Sequence, residues 1–252
     1  MNIIKNKITN SIRKFLTRLI IKNHIYPSNI HKASNYIYTQ DIEGDYLEFG
    51  CFRGESFIDA YYNIINAELY WQTEERGNKA FTNNNHKLEF YTKDYERRFI
   101  AFDSFVGLPK PDGIDKDHHL FREGRYDCSK GEFLKIIKNA NLNIKKVKIV
   151  EGFFEDSLNY SIKKDLSIKK AAIIMIDCDF YKSTKLVLDF ITNLLQNGTV
   201  IIFDDWFNYK SNPNKGEQRA CKEWLQKNSH IKLIEYGNNQ LTQKMFIVNL
   251  DN

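Results

Sequence analysis

Two apolar stretches of strand length each end in a pair of acids, and this pattern constrains the fold more than any other feature of the chain. The first stretch ends at Asp177 and Asp179, and the second ends at Asp204 and Asp205. Apolar stretches of this kind belong in buried parallel strands, whereas carboxylates do not. Parallel strands would bring the four carboxylates to the sheet edge where open α/β sheets bind their ligands.

Four carboxylates at one sheet edge would repel one another and would need a counter-charge, most simply a hard divalent cation. The alternative is that each strand is followed by an acid that caps the next helix after a βα turn. That alternative accounts for one acid per strand rather than two. The sequence therefore favours a metal site.

Composition limits the classes of protein that the chain can belong to. Its 252 residues are 42% hydrophobic, which is enough for one sizeable α/β domain. The four cysteines show no paired metal spacing, so we expect reduced thiols in a cytoplasmic protein. No apolar stretch approaches the roughly 18 residues of a membrane span.

The net charge of +5 is unevenly distributed along the chain. Residues 1–40 carry seven bases and no acid, so the remainder holds 30 bases against 32 acids. This balance indicates no nucleic-acid-binding surface on the main domain. We therefore divide the chain into an extension, residues 1–40, and a main domain, residues 41–252.

The extension is predicted to be a basic amphipathic helix, because its apolar side chains fall at helical spacing. These are Ile4, Ile8, Ile12, Phe15 and Leu19. Such a helix could lie on an anionic membrane surface. We favour the alternative that it packs against its own domain or against a second subunit in a homodimer.

From Gly44 onward, predicted strands and helices alternate. The strands are 45–50, 98–103, 146–151, 171–177, 199–204, 232–237 and 243–250, and the main helices are 56–67, 130–140, 184–196 and 216–228. Repeated βα units predict an α/β fold, a doubly wound, mostly parallel, seven-stranded sheet with helices on both faces. The last two strands are expected to form a hairpin that contributes one antiparallel strand.

Residues 68–97 form an insert that does not fit this repeat. They are polar, rich in Asn and aromatic residues, and longer than a normal connection. Their position after the first helix suggests a lid or an acceptor wall. A solvated excursion is the alternative.

The first strand ends in a glycine turn formed by Gly50 and Gly54. The spacing is not that of a dinucleotide fold and no P-loop Lys follows, but the turn lets a ligand approach the backbone closely. Glu48, on the strand itself, suits an amino group, and Asp103, at the end of the second strand, can bind a ribose diol. A ligand that joins an amino acid to a ribose is S-adenosylmethionine.

Four blocks of sequence match a known family. They are 47–56 (LEFGCFRGES), 102–109 (FDSFVGLP), 151–156 (EGFFED) and the two acidic strand ends. On these blocks the chain resembles the class I S-adenosylmethionine-dependent methyltransferases, which have a Rossmann-like fold. It resembles more narrowly the macrocin O-methyltransferase (TylF/MycF) family, whose members methylate sugar hydroxyls in a metal-dependent way. The match covers roughly residues 44–250.

The resemblance implies a role for each matching position. The methionine part of the cofactor would be lined by Glu48, Gly50, Arg53, Gly54 and Ser56. Asp103 would hold the ribose, and the adenine would lie between Ser104, Phe105, Gly152 and Phe153. The cation, usually Mg²⁺, would be held by Asp177, Asp204 and Asp205, with Asp177 also facing the cofactor. Asp179 would act as the base.

The implied function is methylation of a sugar hydroxyl on a nucleotide-sugar, a surface polysaccharide or a glycoside. One alternative is a catechol-type methyltransferase acting on a planar diol, which would need an apolar slot formed by Phe52, Phe180, Trp206 and Phe207. Another is a non-catalytic, membrane-associated assembly protein that uses the basic extension. Loss of a metal aspartate would have favoured the latter, and all of them are present.

Overall fold

The computed structural model of the chain describes residues 28–80, 96–237 and 241–251. The predicted amphipathic helix, with its apolar stripe from Ile4 to Leu19, lies outside the described residues. So do residues 81–95, which make up much of the predicted insert.

Seven strands form one sheet in the order β3-β2-β1-β4-β5-β7-β6. The strands are β1 (Asp45–Phe49), β2 (Phe99–Asp103), β3 (Val147–Glu151), β4 (Ala171–Ile176), β5 (Val200–Phe203), β6 (Ile231–Gly237) and β7 (Lys244–Leu250). Neighbours among the first five strands pair in parallel. β7 runs antiparallel to both β5 and β6, so the predicted sheet and its single antiparallel strand are confirmed. Every predicted strand boundary lies within one residue of the observed one.

The helices are α1 (Asn29–Thr39), α2 (Glu55–Ala80), α3 (Lys130–Asn139), α4 (Phe154–Ser157), α5 (Tyr160–Asp165), α6 (Tyr181–Ile191) and α7 (Gly216–Lys227). Short 3₁₀ turns cover Gly113–Asp117, Ile144–Lys146 and Thr192–Leu194. A further single turn, Asn208–Ser211, is left-handed, because Tyr209, Lys210 and Ser211 all have positive φ.

Two helices differ from the sequence prediction. α2 continues to Ala80 rather than ending at 67, because most of the added residues are good helix formers such as Glu, Gln, Lys and Leu. The first part of the predicted insert is therefore helical. α6 begins at Tyr181 rather than at 184. The carboxylate of Asp115, from a distant loop, accepts the first N–H groups of this helix and so caps it.

The core consists of two apolar layers, one on each face of the sheet. One layer contains buried side chains of α1, α2 and α3, and the other contains those of α6 and α7. The inner strands β1, β4 and β5 are buried along their whole length, as expected of parallel strands covered on both faces. Within the residues that the structure describes, none of the helices is long and apolar enough to cross a membrane.

The parallel strands all end at the same edge of the sheet, and glycine lets two of these ends lie together. Gly50, after β1, has a φ of +86°. A Cβ atom at this position would lie 1.7 Å from the backbone carbonyl oxygen of Asp177, after β4. Any larger residue at position 50 would push the end of β4 away from the end of β1.

Candidate active site

A cavity of about 940 Å³ opens at the C-terminal ends of the parallel strands. Its lining includes the turn after β1, the residues that follow β3, the acidic ends of β4 and β5, and the start of α6. The segment 104–126, which we call the wall segment, lines it as well. The cavity lies where an open α/β sheet is expected to bind its ligands.

The structure brings three acids together at the ends of β4 and β5. Asp177, Asp204 and Asp205 each offer one carboxylate oxygen, and these atoms all lie within 4.8 Å of one another. Burial raises the pKa of all three carboxyl groups, and that of Asp205 reaches about 7. Repulsion between neighbouring aspartates raises the pKa values of Asp177 and Asp205 further. Such a group of oxygen ligands is suited to a hard divalent cation.

Asp179 lies beside this cluster in a constrained backbone conformation. Its φ is +61°, its side chain is 8% exposed, and its backbone N–H donates to Oδ2 of Asp205 at 3.1 Å. Burial, and then the charge of Asp205, raises the pKa of the Asp179 carboxyl group. The backbone carbonyl of Asp179 accepts a hydrogen bond from the hydroxyl of Tyr209.

Asp179 does not cap the helix that follows it. The first N–H groups of α6, on Tyr181 and Lys182, donate to the carboxylate of Asp115 at 2.8 and 3.2 Å. The wall segment therefore supplies the cap. A cap contributed from 66 residues away leaves no local sequence pattern, so Asp115 could not be predicted from the sequence.

Glu217, at the start of α7, is a second buried acid that the sequence analysis did not identify. One of its carboxylate oxygens accepts the backbone N–H of Asp205 at 3.0 Å, and the other has no partner among the described residues. Burial, followed by the charge of Asp205, raises its pKa well above the ordinary value. An acid in the first turn of a helix is common, so its sequence position gives no sign of this contact.

Beneath the glycine turn, Glu48 is fully buried in β1 and does not line the cavity. Its carboxylate accepts hydrogen bonds from the hydroxyls of Tyr46 and Ser56, the latter at 2.7 Å. Burial raises the pKa of Glu48 from 4.5 to about 8, although these hydrogen bonds oppose the shift. Ser56 therefore acts on Glu48 and does not line the cavity itself.

Asp103 joins the end of β2 to the glycine turn. Its Oδ2 accepts the backbone N–H groups of Cys51 at 2.6 Å and Phe52 at 3.0 Å. Its Oδ1 accepts the N–H of Phe105 at 2.7 Å. A carboxylate has about four acceptor sites, so Asp103 has room for one further hydroxyl donor.

The remaining predicted cofactor residues divide into two groups. Ser104 and Phe153 line the cavity with Gly50, whereas Gly54 and Gly152 do not. The Arg53 guanidinium is exposed and lies 3.8 Å from Glu132. The ring of Phe105 is buried in the core, with its centroid 5.5 Å from that of Phe133.

The wall segment forms one side of the cavity, and the acceptor role predicted for the insert stays a prediction, because residues 81–95 lie outside the described residues. The wall segment contributes apolar and aromatic side chains to the cavity, including Leu120, Phe121 and Tyr126. The ring of Tyr126 meets that of Phe52 edge to face at 5.8 Å between centroids. Only its first residues, within the block 102–109, carried a sequence signal.

The sheet order and the position of the cavity define the class I methyltransferase fold. The profile of the Macrocin-O-methyltransferase (TylF) family matches residues 85–229, which is more than half of the chain. The chain therefore belongs to this family and is an S-adenosylmethionine-dependent O-methyltransferase. The predicted family, fold class and enzyme class are confirmed.

Solved structures agree with this fold. The O-methyltransferase NovP is 21% identical, with a TM-score of 0.64 over 87% of this chain and 77% of NovP. The calicheamicin methyltransferase CalS11 is 17% identical, with a TM-score of 0.57 over 93% and 90% of the two chains. An O-methyltransferase from Bacillus cereus, solved in complex with SAH, is 13% identical, with a TM-score of 0.52 over 95% and 89%. No curated protein sequence matches the chain.

Proposed function

We propose that this enzyme transfers the methyl group of S-adenosylmethionine to a sugar hydroxyl with the help of a divalent cation, most simply Mg²⁺. The observation that carries the proposal is the cluster of Asp177, Asp204 and Asp205, because it faces the same cavity as the cofactor residues Gly50 and Asp103. CalS11, one of the similar structures, is described as a TDP-rhamnose 3'-O-methyltransferase, which supports a sugar as the acceptor.

The three aspartates fit a cation on chemical grounds. They offer only oxygen ligands, and no Lys or Arg among the described residues forms an ion pair with them. Burial raises the pKa values of all three, and the charge of neighbouring aspartates raises those of Asp177 and Asp205 further, so a bound cation would favour the ionised forms. When bound, a cation would lower the pKa of the acceptor hydroxyl and hold it in place.

The residues of the chain itself would act as follows. Glu48 would accept the amino group of the cofactor, and the free acceptor site of Asp103 would bind a ribose hydroxyl. Asp179 would take the proton of the acceptor hydroxyl, and base catalysis of this kind is typically worth about 10²–10⁴-fold in rate. S-adenosylmethionine supplies the methyl group, and the protein supplies alignment and charge.

The catechol-type alternative is less well supported, because only two of the four aromatic residues predicted to form its apolar slot line the cavity. Phe52 and Phe180 line the cavity. Trp206 instead packs against Phe203 and Phe246, at 5.0 Å between ring centroids in each case. The ring of Phe207 lies 5.7 Å from the ammonium group of Lys244 and does not line the cavity.

The test is mass spectrometry of a panel of nucleotide-sugars and simple glycosides, including TDP-rhamnose, incubated with enzyme, S-adenosylmethionine and Mg²⁺. We expect one acceptor to gain one methyl group, and we expect a chelator to abolish the gain and added Mg²⁺ to restore it. Full turnover in excess chelator would rule out the catalytic metal. Methylation of a catechol in place of every sugar would rule out the acceptor class.

We further propose that the basic extension packs against the domain or a second subunit and that the enzyme is a homodimer. Deletion of residues 1–24 should then convert the dimer to a monomer by light scattering and lower activity on a soluble acceptor. An unchanged oligomer and unchanged soluble activity, with loss of salt-sensitive liposome binding, would instead favour attachment to a membrane surface.

We also propose that part of the insert shapes the acceptor pocket and has no role in cofactor binding. Shortening the insert within residues 68–97 should change the acceptor KM or the choice of acceptor and leave cofactor affinity unchanged. An unchanged acceptor profile would make this stretch a solvated excursion.

A further inference from the structure

The wall segment is closed at its base by backbone contacts. The N–H of Leu108 donates to the carbonyl of Arg125, and the N–H of Gly124 donates to the carbonyl of Leu108, both at 2.9 Å. Gly107 makes this close approach possible, because a Cβ at that position would lie 2.6 Å from the backbone carbonyl of Gly124. The residues between 108 and 125 therefore project as one loop with its two ends held together.

A buried acidic side chain attaches the far end of this loop to α6. Asp115 is only 3% exposed, and its two oxygens accept the N–H groups of Tyr181 and Lys182. These N–H groups belong to the first turn of α6, where no intrahelical partner exists and where negative charge is favourable. Phe180, at the cap position of α6, makes no side-chain capping bond. Asp115 is therefore the side-chain cap of α6.

Aromatic packing strengthens the same attachment. Phe121, from the loop, lies 6.0 Å from the ring of Phe180 and 6.0 Å from the ring of Tyr209. His118 stacks on Phe121 at 3.8 Å between centroids. The hydroxyl of Tyr209 in turn contacts the backbone carbonyl of Asp179. The loop thus contacts the residues that directly follow Asp179, Phe180 to Lys182, and reaches the backbone carbonyl of Asp179 through Tyr209.

We propose that Asp115 is a positioning residue that fastens the acceptor side of the cavity to the helix following Asp179, so that the acceptor is held in register with the candidate base. Loss of the Asp115 carboxylate would free the loop from α6 while the base of the loop stays closed. The acceptor would then bind in a less defined position, and the cofactor side of the cavity would be unaffected. The proposal rests on the proposed function, because it treats the wall segment as the acceptor side and Asp179 as the base.

Hydrogen exchange measured by mass spectrometry tests the attachment without any acceptor. In full-length Asp115→Ala, we expect exchange at Tyr181 and Lys182 and across residues 109–123 to rise about tenfold or more, because two bonds to a charged acceptor are lost. Asp115→Asn keeps one acceptor oxygen and should show a smaller rise in the same places. The Asp115→Asn variant also provides the test if Asp115→Ala does not fold.

Two control variants separate this effect from loss of a charge or of a helix cap in general. Asp127→Ala removes an exposed acid that follows the wall segment and should leave exchange unchanged. Asn159→Ala removes the cap of α5, where its side chain accepts the N–H of Ile162 at 3.1 Å. It should raise exchange in α5 and leave residues 109–123 as protected as in the wild type.

The functional measurement is a comparison of Michaelis constants for the sugar that gains a methyl group in the panel above. Asp115→Ala should raise the acceptor KM about tenfold, while calorimetry shows the Kd for S-adenosylhomocysteine within about twofold of wild type. An exchange increase confined to Tyr181 and Lys182 would reduce Asp115 to a helix cap and overturn the proposal. So would an unchanged acceptor KM. If no sugar is methylated, the proposed function fails, and the exchange data still decide whether Asp115 fastens the loop.

Discussion

The two sides of the cavity hold their acids in different ways. On the cofactor side, Glu48 accepts bonds from two hydroxyl groups, and Asp103 accepts three backbone N–H groups. On the metal side, Asp204 accepts a side-chain bond from Gln243, and Asp205 accepts the N–H of Asp179 and a side-chain bond from Asn208. No donor among the described residues reaches the Asp177 carboxylate, and the three metal-side aspartates lie close together.

This difference shows how one edge of the sheet can carry a site for the cofactor and a site for a cation that are built differently. The cofactor side is built from hydrogen bonds within the protein, so its geometry does not depend on any bound ion. The metal side has its carboxylates in place but lacks the charge that would balance them. The two sides should therefore respond independently to substitution, and the following predictions test that independence.

The largest effect is expected for Asp204→Asn. Loss of one metal ligand should lower kcat by more than about a hundredfold, since even residues that only support a metal ligand cost 10–100-fold when they are replaced. The Kd for S-adenosylhomocysteine, measured by calorimetry, should stay within about twofold. Asp165→Asn, at the exposed end of α5, is the matched control and should change neither quantity. Equal losses of cofactor affinity and turnover would show that the two sides are not independent.

Asp179→Asn should have the next largest effect. If Asp179 takes the proton of the acceptor hydroxyl, kcat should fall by about 10²-fold or more, with little change in melting temperature. The variant keeps the backbone N–H that donates to Asp205, so the cluster should retain its shape. Near-normal kcat with a lowered melting temperature would assign Asp179 a structural role only.

The smallest effect concerns the pH dependence of stability on the cofactor side. The pKa of Glu48 is about 8 in the folded protein and near 4.5 when unfolded, so the folded state binds more protons between these values. The contribution of Glu48 to the free energy of unfolding is therefore present at low pH and is lost as pH rises towards 8.

Glu48→Gln removes this titration. The ligand-free variant should melt about 5 °C above wild type at pH 8.5 and close to wild type at pH 4.5. Melting curves across this pH range provide the measurement. Parallel pH profiles for the two proteins would contradict the raised pKa. The same variant should bind S-adenosylhomocysteine more weakly, which tests the role of Glu48 separately.

Most of the fold could be predicted from the sequence, because buried parallel strands leave a continuous apolar pattern. Each strand was placed within one residue of its observed position. The prediction failed where tertiary contacts decide the boundary. α6 starts at Tyr181 because Asp115 accepts its first N–H groups, and no local pattern near Tyr181 could indicate that contact.

The site was predictable to the extent that it lies at strand ends. Asp177, Asp204 and Asp205 follow apolar strands directly, so parallel topology alone brings them to one edge. Glu217 and the wall segment could not be predicted, because Glu217 contacts Asp205 from a helix and the wall segment reaches the cavity from a loop. A buried contact such as that of Glu217 with the backbone of Asp205 depends on helix packing, which the residue pattern does not specify.

The central claim is that the cofactor side and the metal side are two binding sites at one sheet edge that respond independently to substitution. Two calorimetric titrations test it most directly. Mg²⁺ is titrated into protein saturated with S-adenosylhomocysteine, and S-adenosylhomocysteine is titrated into metal-free protein. Wild type should bind both ligands, whereas Asp204→Asn should bind S-adenosylhomocysteine normally and show no Mg²⁺ heat. Equal Mg²⁺ affinity in Asp204→Asn and wild type would contradict the claim.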